Sequence, residues 1–174
     1  MKNTEIIEAL RSKLSVPGGR HLYGVLGSYA ALAAFSGKLR QAKAPDGRRF
    51  PRQISVNRGI LNTIPDNEFR QLVENEAKRP EPTAAHVAKA FETFLRSKLR
   101  GKGLIVLSNL ETLFAYNLEL NLLRTMAADA DRILLLLPGR RSSGKIIMFP
   151  NLDEGGYTLP TNLIADNHLW EVRE

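Results

Sequence analysis

Two glycines and a serine near the start of the chain have a spacing that can bind phosphate. Gly24, Gly27 and Ser28 follow an apolar run that begins at His21, and an alanine-rich stretch continues from them to Phe35. A strand, a glycine-containing turn and a helix in this order hold phosphate with backbone N–H groups at the helix N-terminus. The alternative is a tight strand-to-helix turn with Ser28 as the helix N-cap, and the sequence favours this alternative because no lysine follows.

The residues after Gly24 depart from the Walker A template, G-x-x-x-x-G-K-[ST]. When Gly24 is the first glycine, Tyr29 stands in place of the second. Ala30 and Ala31 then stand in place of the lysine and the hydroxyl residue. Phosphoryl transfer at such a loop needs a lysine ammonium on the phosphates and a hydroxyl on magnesium. Alanine supplies neither group, so the sequence predicts that nucleotide hydrolysis is absent.

Two basic loops carry side chains that suit phosphate oxygens. Between residues 38 and 52, six basic residues are accompanied by a single acidic one, Asp46. Loop arginines of this kind bind phosphate, and a solvated basic surface is the alternative. The candidate nucleic-acid-binding residues are Arg48, Arg49 and Arg52 in the first loop and Arg140, Arg141 and Lys145 in the second.

The composition limits the class of protein. The chain has 174 residues, a formal net charge of +7 and no cysteine, which permits nucleic-acid binding or an acidic partner and excludes a disulfide scaffold. No apolar run approaches the ~18 residues of a membrane span, and the N-terminus lacks the apolar segment of a signal peptide. We therefore expect a soluble, cytoplasmic protein without membrane contact. His21, His86 and His168 are scattered, so we expect no metal site.

Apolar strands alternate with amphipathic helices along the chain. Continuous apolar runs at 103–107 and 132–137 are typical of strands covered on both faces, and Pro138-Gly139 should end the second. This alternation predicts an α/β fold, a three-layer sandwich with a mostly parallel sheet and helices on both faces. The other expected strands are 21–26, 53–57 and 145–149, and the expected helices are 4–14, 28–39, 58–64, 66–77, 83–99, 109–114 and 118–127, with a linker at 78–82.

Three short segments should meet at one edge of this sheet. Gly27-Ser28, Ser108-Asn109 and Pro138-Gly139-Arg140 each follow a strand, and the carboxyl ends of parallel strands share an edge. Asn109 suits a cap for the helix that follows it, and a relic metal site with Glu111 is the less favoured alternative.

Two further predictions concern apolar side chains. In the helix at 66–77 we expect Phe69, Leu72 and Val73 to point inward. Near the end of the chain, Trp170 should pack the tail against the domain, and the alternative is an anchor for a partner protein.

Three of these stretches together resemble an additional-strand P-loop NTPase, the class that includes AAA-type ATPases. They are Leu22–Ser28, Leu104–Glu111 and Arg132–Gly139. More narrowly, Leu107–Phe114 followed by Leu122–Met126 is similar to the small P-loop component (BrxF-like) of type III bacteriophage-exclusion (BREX) systems. The resemblance covers about residues 20–150, and it implies a single degenerate domain over residues 1–174 with a sheet of P-loop NTPase type.

The resemblance also implies roles for single residues. It puts Ser108 where the class carries the Walker B acid that holds magnesium, with Glu111 as the nearest carboxylate. It implies a pseudo-ATPase: a non-hydrolysing accessory subunit of an antiviral defence complex, without a cofactor, that contacts DNA or a protein partner through the basic loops. One alternative is an ATP-binding or weakly active ATPase subunit that uses magnesium, with Arg140 or Arg141 replacing the lysine. A second alternative is a protein-interaction adaptor without nucleic-acid binding.

Overall fold

The computed structural model describes residues 1–76, 78, 80–152 and 155–173. In that part of the chain the helices are α1 (Asn3–Leu14), α2 (Tyr29–Gln41), α3 (Val56–Thr63), α4 (Asp66–Glu76), α5 (Pro80–Leu99), α6 (Glu111–Ala115) and α7 (Asn121–Met126). The strands are β1 (Leu22–Gly27), β2 (Gln53–Ser55), β3 (Leu104–Ser108), β4 (Arg132–Ser142), β5 (Lys145–Met148), β6 (Tyr157–Thr158) and β7 (Leu169–Glu171).

The sheet is mostly parallel and has β4 and β1 at its centre. The parallel strands follow the order β2-β3-β4-β1-β7. β1 pairs with β4 from Leu22 opposite Ile133 to Gly27 opposite Pro138. β5 pairs antiparallel with the end of β4, and β6 pairs antiparallel with β5, which gives seven strands in all among the described residues. The predicted α/β fold with a mostly parallel sheet is confirmed.

Helices cover both faces of the sheet because alternate residues of each strand point to opposite sides. In β1, Leu22 and Leu26 belong to the apolar cluster that includes α3, α5, α6 and α7. Tyr23 and Val25 belong to a second cluster, which includes α1 and α2. The β4 residues from Ile133 to Leu137 divide between the same two clusters, so this part of the central strand is buried on both sides. This is the three-layer sandwich that the sequence predicts.

β4 continues through Pro138, which corrects the prediction that this proline ends the strand. The ladder between β3 and β4 reaches only Leu135, so a proline beyond it interrupts no pairing with β3. From Gly139 onward β4 pairs with β5, and the hairpin turn consists of Ser143 and Gly144, with φ angles of +47° and +76°. A two-residue turn with both φ angles positive matches the twist of a hairpin.

α4 lies on the surface, which corrects the prediction for its apolar residues. Of its described side chains none is buried. Phe69 and Val73 are 41% and 57% exposed, and only Leu72 is partly covered. The apolar spacing therefore predicted the helix itself but not its burial, and Ala77, the last residue of that predicted helix, lies outside the described residues.

α5 begins at Pro80 rather than at Thr83. The N–H groups of a first helical turn have no partner within the helix, so proline is tolerated there. Pro80, Glu81 and Pro82 are accordingly helical, although we predicted a linker over 78–82. Arg79 of that linker lies outside the described residues.

The end of the chain forms an edge strand of the main sheet. Trp170 lies opposite Val25 in β1, is 8% exposed, and stacks on Tyr23 with ring centroids 6.0 Å apart and planes 16° apart. The prediction that Trp170 packs the tail against the domain is confirmed. In the described part of the chain, no helix has both the length and the apolar character to cross a membrane.

Candidate functional site

A polar cluster joins the segments that follow β1, β2 and β3. Tyr29 Oη donates a hydrogen bond of 3.0 Å to Glu111 Oε1, and Asn57 Nδ2 donates one of 2.9 Å to Glu111 Oε2. Asn57 Oδ1 in turn accepts a hydrogen bond of 3.0 Å from the N–H of Thr112. Each carboxylate oxygen of Glu111 therefore has a donor within the protein, and the cluster links α2, α3 and α6.

Tyr29 acts as a proton donor in this cluster. Burial and the hydrogen bond to Glu111 raise the pKa of Tyr29 to about 12. The phenol therefore keeps its proton at neutral pH and stabilises the charged carboxylate. Half of the Tyr29 side chain is exposed, so it stands at the surface of the carboxyl edge, where the template would have a glycine.

Ser108 and Asn109 adjoin this cluster at the end of β3. Ser108 is buried, and its Oγ donates a hydrogen bond of 3.2 Å to Asn109 Oδ1. Asn109 has a φ of +53°, and its carbonyl accepts a hydrogen bond of 3.1 Å from the N–H of Asn57. The side chain that caps α6 is Asn57, so the prediction of Asn109 as the cap is wrong. The cap comes from a distant part of the chain.

Replacing Asn57 with alanine is expected to lower the free energy of unfolding by about 1–2 kcal/mol, because the cap of α6 and a donor to Glu111 are both lost. Urea unfolding at pH 7 measures the change. Asn57→Asp is the matched variant: it keeps the cap acceptor but puts a second carboxylate beside Glu111, so its stability should recover as the pH falls. Wild-type stability of Asn57→Ala would contradict the capping role.

The connection between β1 and α2 is a tight turn. β1 ends at Gly27 and α2 begins at Tyr29, so Ser28 alone connects them. Ser28 Oγ accepts a hydrogen bond of 3.2 Å from the N–H of Ala31, as an N-cap does. The alternative that the sequence favours, a strand-to-helix turn capped by Ser28, is the one that forms.

Gly24 and Gly27 lie inside β1 and permit close packing. A Cβ atom at Gly24 would lie 2.8 Å from methyl groups of both Ile164 and Leu169. A Cβ atom at Gly27 would lie 2.5 Å from Val172 Cγ1. Such distances are shorter than carbon atoms tolerate, so a Cβ atom at either position would force these side chains to shift.

The first basic loop, residues 43–52, lies on the amino side of the sheet. α2 leaves the carboxyl edge at Ser28 and carries the chain back before this loop begins. Arg11 Nε, near the end of α1, donates a hydrogen bond of 2.5 Å to the carbonyl of Lys43. The three candidate arginines of the loop, Arg48, Arg49 and Arg52, are exposed.

The second basic loop belongs to the β4–β5 hairpin, residues 139–148, which folds back over one face of the sheet. Arg141 and Lys145 line a cavity together with Arg20 and Leu22. Arg20 and Leu22 lie at the amino end of β1. The first basic loop and the tip of the hairpin, with Arg141 and Lys145, are therefore on the amino side. Arg140 is two residues after Pro138, which pairs with Gly27 at the carboxyl end of β1.

The expected meeting of three segments at the carboxyl edge is correct for the first two segments and for Pro138 at the start of the third. Gly27-Ser28 and Ser108-Asn109 lie at this edge, joined through the hydrogen bond between Tyr29 and Glu111. In the third segment Pro138 lies opposite Gly27, but Arg140 continues into the hairpin and pairs with Ile147. The physical reason is that β4 bends into a second ladder instead of ending.

Two histidines lie at the amino edge and are neutral at pH 7. Burial, followed by the charge of Arg132, lowers the pKa of His21. Burial, followed by the charge of Lys13, lowers the pKa of His168. Nδ1 of His21 lies 2.6 Å from the hydroxyl oxygen of Tyr23, within hydrogen-bonding distance. Neither imidazole adds positive charge to this edge at neutral pH.

Sequence reasoning did not single out Asn57, Arg20 or Arg124 as site residues. Asn57 is the last residue of the strand expected over 53–57, and a polar side chain at a strand end was the available signal. Arg20 and Arg124 come from separate elements and meet only in the fold. Among the described residues no group of three His, Asp or Glu side chains is placed to hold a metal ion. No family model, no curated protein and no solved structure matches the chain.

Proposed function

We propose that this chain is a non-hydrolysing, P-loop-like accessory subunit of a bacterial anti-phage defence complex and binds DNA through its two basic loops, residues 43–52 and 139–148. The defence role rests on the resemblance of Leu107–Phe114 and Leu122–Met126 to the BrxF-like component. The DNA-binding role rests on charge and exposure. Such a subunit works in the cytoplasm beside its partner proteins.

The strand order supports the relation to the additional-strand class. β4 lies between β1 and β3, which is where an additional strand separates the phosphate-loop strand from the Walker B strand. The chain also leaves β1 toward β2 on one side and leaves β4 toward β7 on the other. The carboxyl ends of β1 and β4 therefore form a topological switch point, the usual place for a ligand in an open α/β sheet.

The residues at this switch point support the absence of hydrolysis. Ala30 and Ser108 provide neither an ammonium group nor a carboxylate. Glu111, the nearest acid, accepts hydrogen bonds from Tyr29 and Asn57. The strand-to-helix connection is too short to wrap around a phosphate, because Ser28 is its single residue. When the chain is incubated with ATP in the presence of magnesium, we expect phosphate to be released at the uncatalysed rate.

The single observation that carries the DNA proposal is the unneutralised charge of the two basic loops. All six candidate residues are exposed, and in the described part of the chain none of their side chains forms an ion pair or a hydrogen bond. Unpaired arginine and lysine side chains bind phosphates and release counterions. These residues are Arg48, Arg49, Arg52, Arg140, Arg141 and Lys145.

The acids near these loops, Asp46 among them, accept hydrogen bonds from backbone N–H groups and, in the described part of the chain, form no ion pair with the six candidate side chains. Asp129 Oδ1 accepts a hydrogen bond of 3.2 Å from the N–H of Gly19. Asp131 Oδ1 accepts one of 2.9 Å from the N–H of Gly101. Both carboxylates precede β4 at the amino edge, so the turns at this edge hold them in place.

The test is the salt dependence of binding to a labelled DNA duplex, followed by fluorescence anisotropy between roughly 50 and 200 mM salt. The wild-type affinity should fall steeply with salt. Replacing Arg48, Arg49 and Arg52 together with alanine should reduce the slope of log K against log salt by about 0.9 for each phosphate that the variant no longer neutralises.

The matched control removes the same charge elsewhere. Arg70 on α4, Lys78 between α4 and α5, and Lys89 on α5 are exposed. Among the described residues none of the three forms an ion pair, and replacing all three with alanine should leave the slope unchanged. Equal effects of the two triple variants would remove the first basic loop from the interface. No binding of the wild-type chain at low salt would end the DNA proposal and favour a protein-interaction adaptor.

A further inference from the structure

A cavity of about 880 Å³ lies between the β4–β5 hairpin and the segment 158–166. Its floor is apolar and formed by buried side chains of the sheet and of this segment, namely Leu22, Leu159, Leu163, Ile164 and Leu169. Polar groups of Ser143, Thr158, Thr161 and Asn162 lie around it. Small-molecule sites have about this size and this combination of apolar surface with a few polar groups.

Four cationic side chains line the cavity: Arg20, Arg124, Arg141 and Lys145. One carboxylate, that of Asp166, faces them, and His168 is neutral at pH 7 because burial lowers its pKa. Among the described residues, none of the four cations forms an ion pair. Like charges brought together in a concave site repel one another, and a bound anion relieves that repulsion.

We propose that this cavity binds a nucleoside polyphosphate, with the phosphate groups against the four cationic side chains. The four cations match a ligand with several negative charges, and arginine donates paired hydrogen bonds to phosphate oxygens. The apolar floor covers the base or the sugar, and the hydroxyl and amide groups of the rim bind their polar edges. Because side chains supply the positive charge, binding needs no magnesium.

This site is separate from the carboxyl edge and goes beyond the proposed DNA contact. Arg20 and Arg124 are outside the two basic loops, and they reach the cavity from the turn before β1 and from α7. The apolar floor also distinguishes the cavity from the exposed first basic loop. Arg141 and Lys145 are shared with the second basic loop, so Lys145→Gln can weaken the binding of both ligands. Arg124 belongs to the cavity alone, and Arg48 and Arg49 belong to the first basic loop alone. Variants of these three residues therefore distinguish a loss of nucleotide binding from a loss of DNA binding.

Calorimetric titration of the full chain with ATP, ADP, inorganic tripolyphosphate and adenosine tests the proposal. ATP should bind more tightly than ADP, tripolyphosphate should also bind, and adenosine should not. Arg124→Gln and Lys145→Gln should each weaken ATP binding about tenfold, the effect of removing one charge-assisted hydrogen bond. Because Arg124 is half-buried, the exposed Lys145 keeps the test valid if Arg124→Gln impairs folding.

The matched control is Arg48→Gln with Arg49→Gln, which should leave ATP affinity unchanged while it weakens DNA binding. Titration with single-stranded DNA, with and without a 5′-phosphate, tests whether the bound phosphate belongs to a free nucleotide or to the end of a DNA strand. Binding of the phosphorylated strand alone, weakened by Lys145→Gln, would support the site and assign it to a strand end. Unaltered ATP affinity in both cavity variants, or no binding of any phosphate ligand, would overturn the proposal.

Discussion

Replacing Trp170 with alanine is expected to lower the free energy of unfolding by about 3–5 kcal/mol, the usual cost of deleting a buried large aromatic side chain. Trp170 is 8% exposed, stacks on Tyr23, and belongs to the apolar cluster that α1 and α2 form with one face of the sheet. Domains of ordinary stability have only about 5–15 kcal/mol in total. The last strand is therefore a major source of stability.

Urea unfolding followed by circular dichroism measures this loss. Trp170→Phe keeps an aromatic ring in the same space and should cost less than the alanine variant. Leu61→Ala removes a side chain that is 51% exposed, so it should change stability by at most about 0.5 kcal/mol. If Trp170→Ala unfolds at the wild-type urea concentration, Trp170 is free to act as an anchor for a partner.

The wild-type chain offers a second check of the same prediction. Trp170 is the single tryptophan, so its fluorescence reports directly on whether β7 is docked. The fluorescence and circular dichroism transitions should coincide, as they do when one cooperative unit unfolds. An earlier fluorescence transition would show that β7 detaches before the rest of the sheet.

The sequence predicted those elements whose signal is local. The apolar runs at 103–107 and 132–137 are continuous, which indicates strands that are buried on both faces, and the structure has both strands. Pro138 misled the prediction because local propensity does not reveal that the ladder with β3 has already ended there. α4 misled it in a related way, since helical spacing of Phe69 and Val73 predicts an amphipathic helix but does not reveal whether another layer covers it.

The candidate site was harder to predict because its parts are distant in the chain. Glu111 and Tyr29 were visible as departures from a motif, but their hydrogen bond spans 82 positions. Arg141 and Lys145 were singled out, with Arg140, as candidate nucleic-acid-binding residues, but their location beside Arg20 depends on the way the hairpin folds back. Charge patterns along a chain indicate a surface, whereas a cavity depends on the path of the backbone.

Replacing Gly24 with alanine is expected to lower the free energy of unfolding by about 1–3 kcal/mol, the cost of overpacking a filled core. The added Cβ would lie 2.8 to 2.9 Å from methyl groups of Ile164, Leu169 and Leu137. These groups come from β4, from β7 and from the segment before β7, so three separate side chains would have to shift to make room. Urea unfolding of the full chain measures the effect.

Gly37→Ala is the matched control, because Gly37 lies in α2 with nothing within 4 Å of its added Cβ. This substitution should raise stability by about 0.5–1 kcal/mol through helix propensity. Comparing the two variants thus distinguishes the effect of steric crowding on stability from the effect of the glycine's conformational freedom. If Gly24→Ala kept full stability and lost affinity for a phosphate ligand, Gly24 would belong to a working phosphate site and the packing explanation would fail. Lower stability with unchanged ligand affinity would mean that Gly24 is needed in β1 for packing and not for binding phosphate.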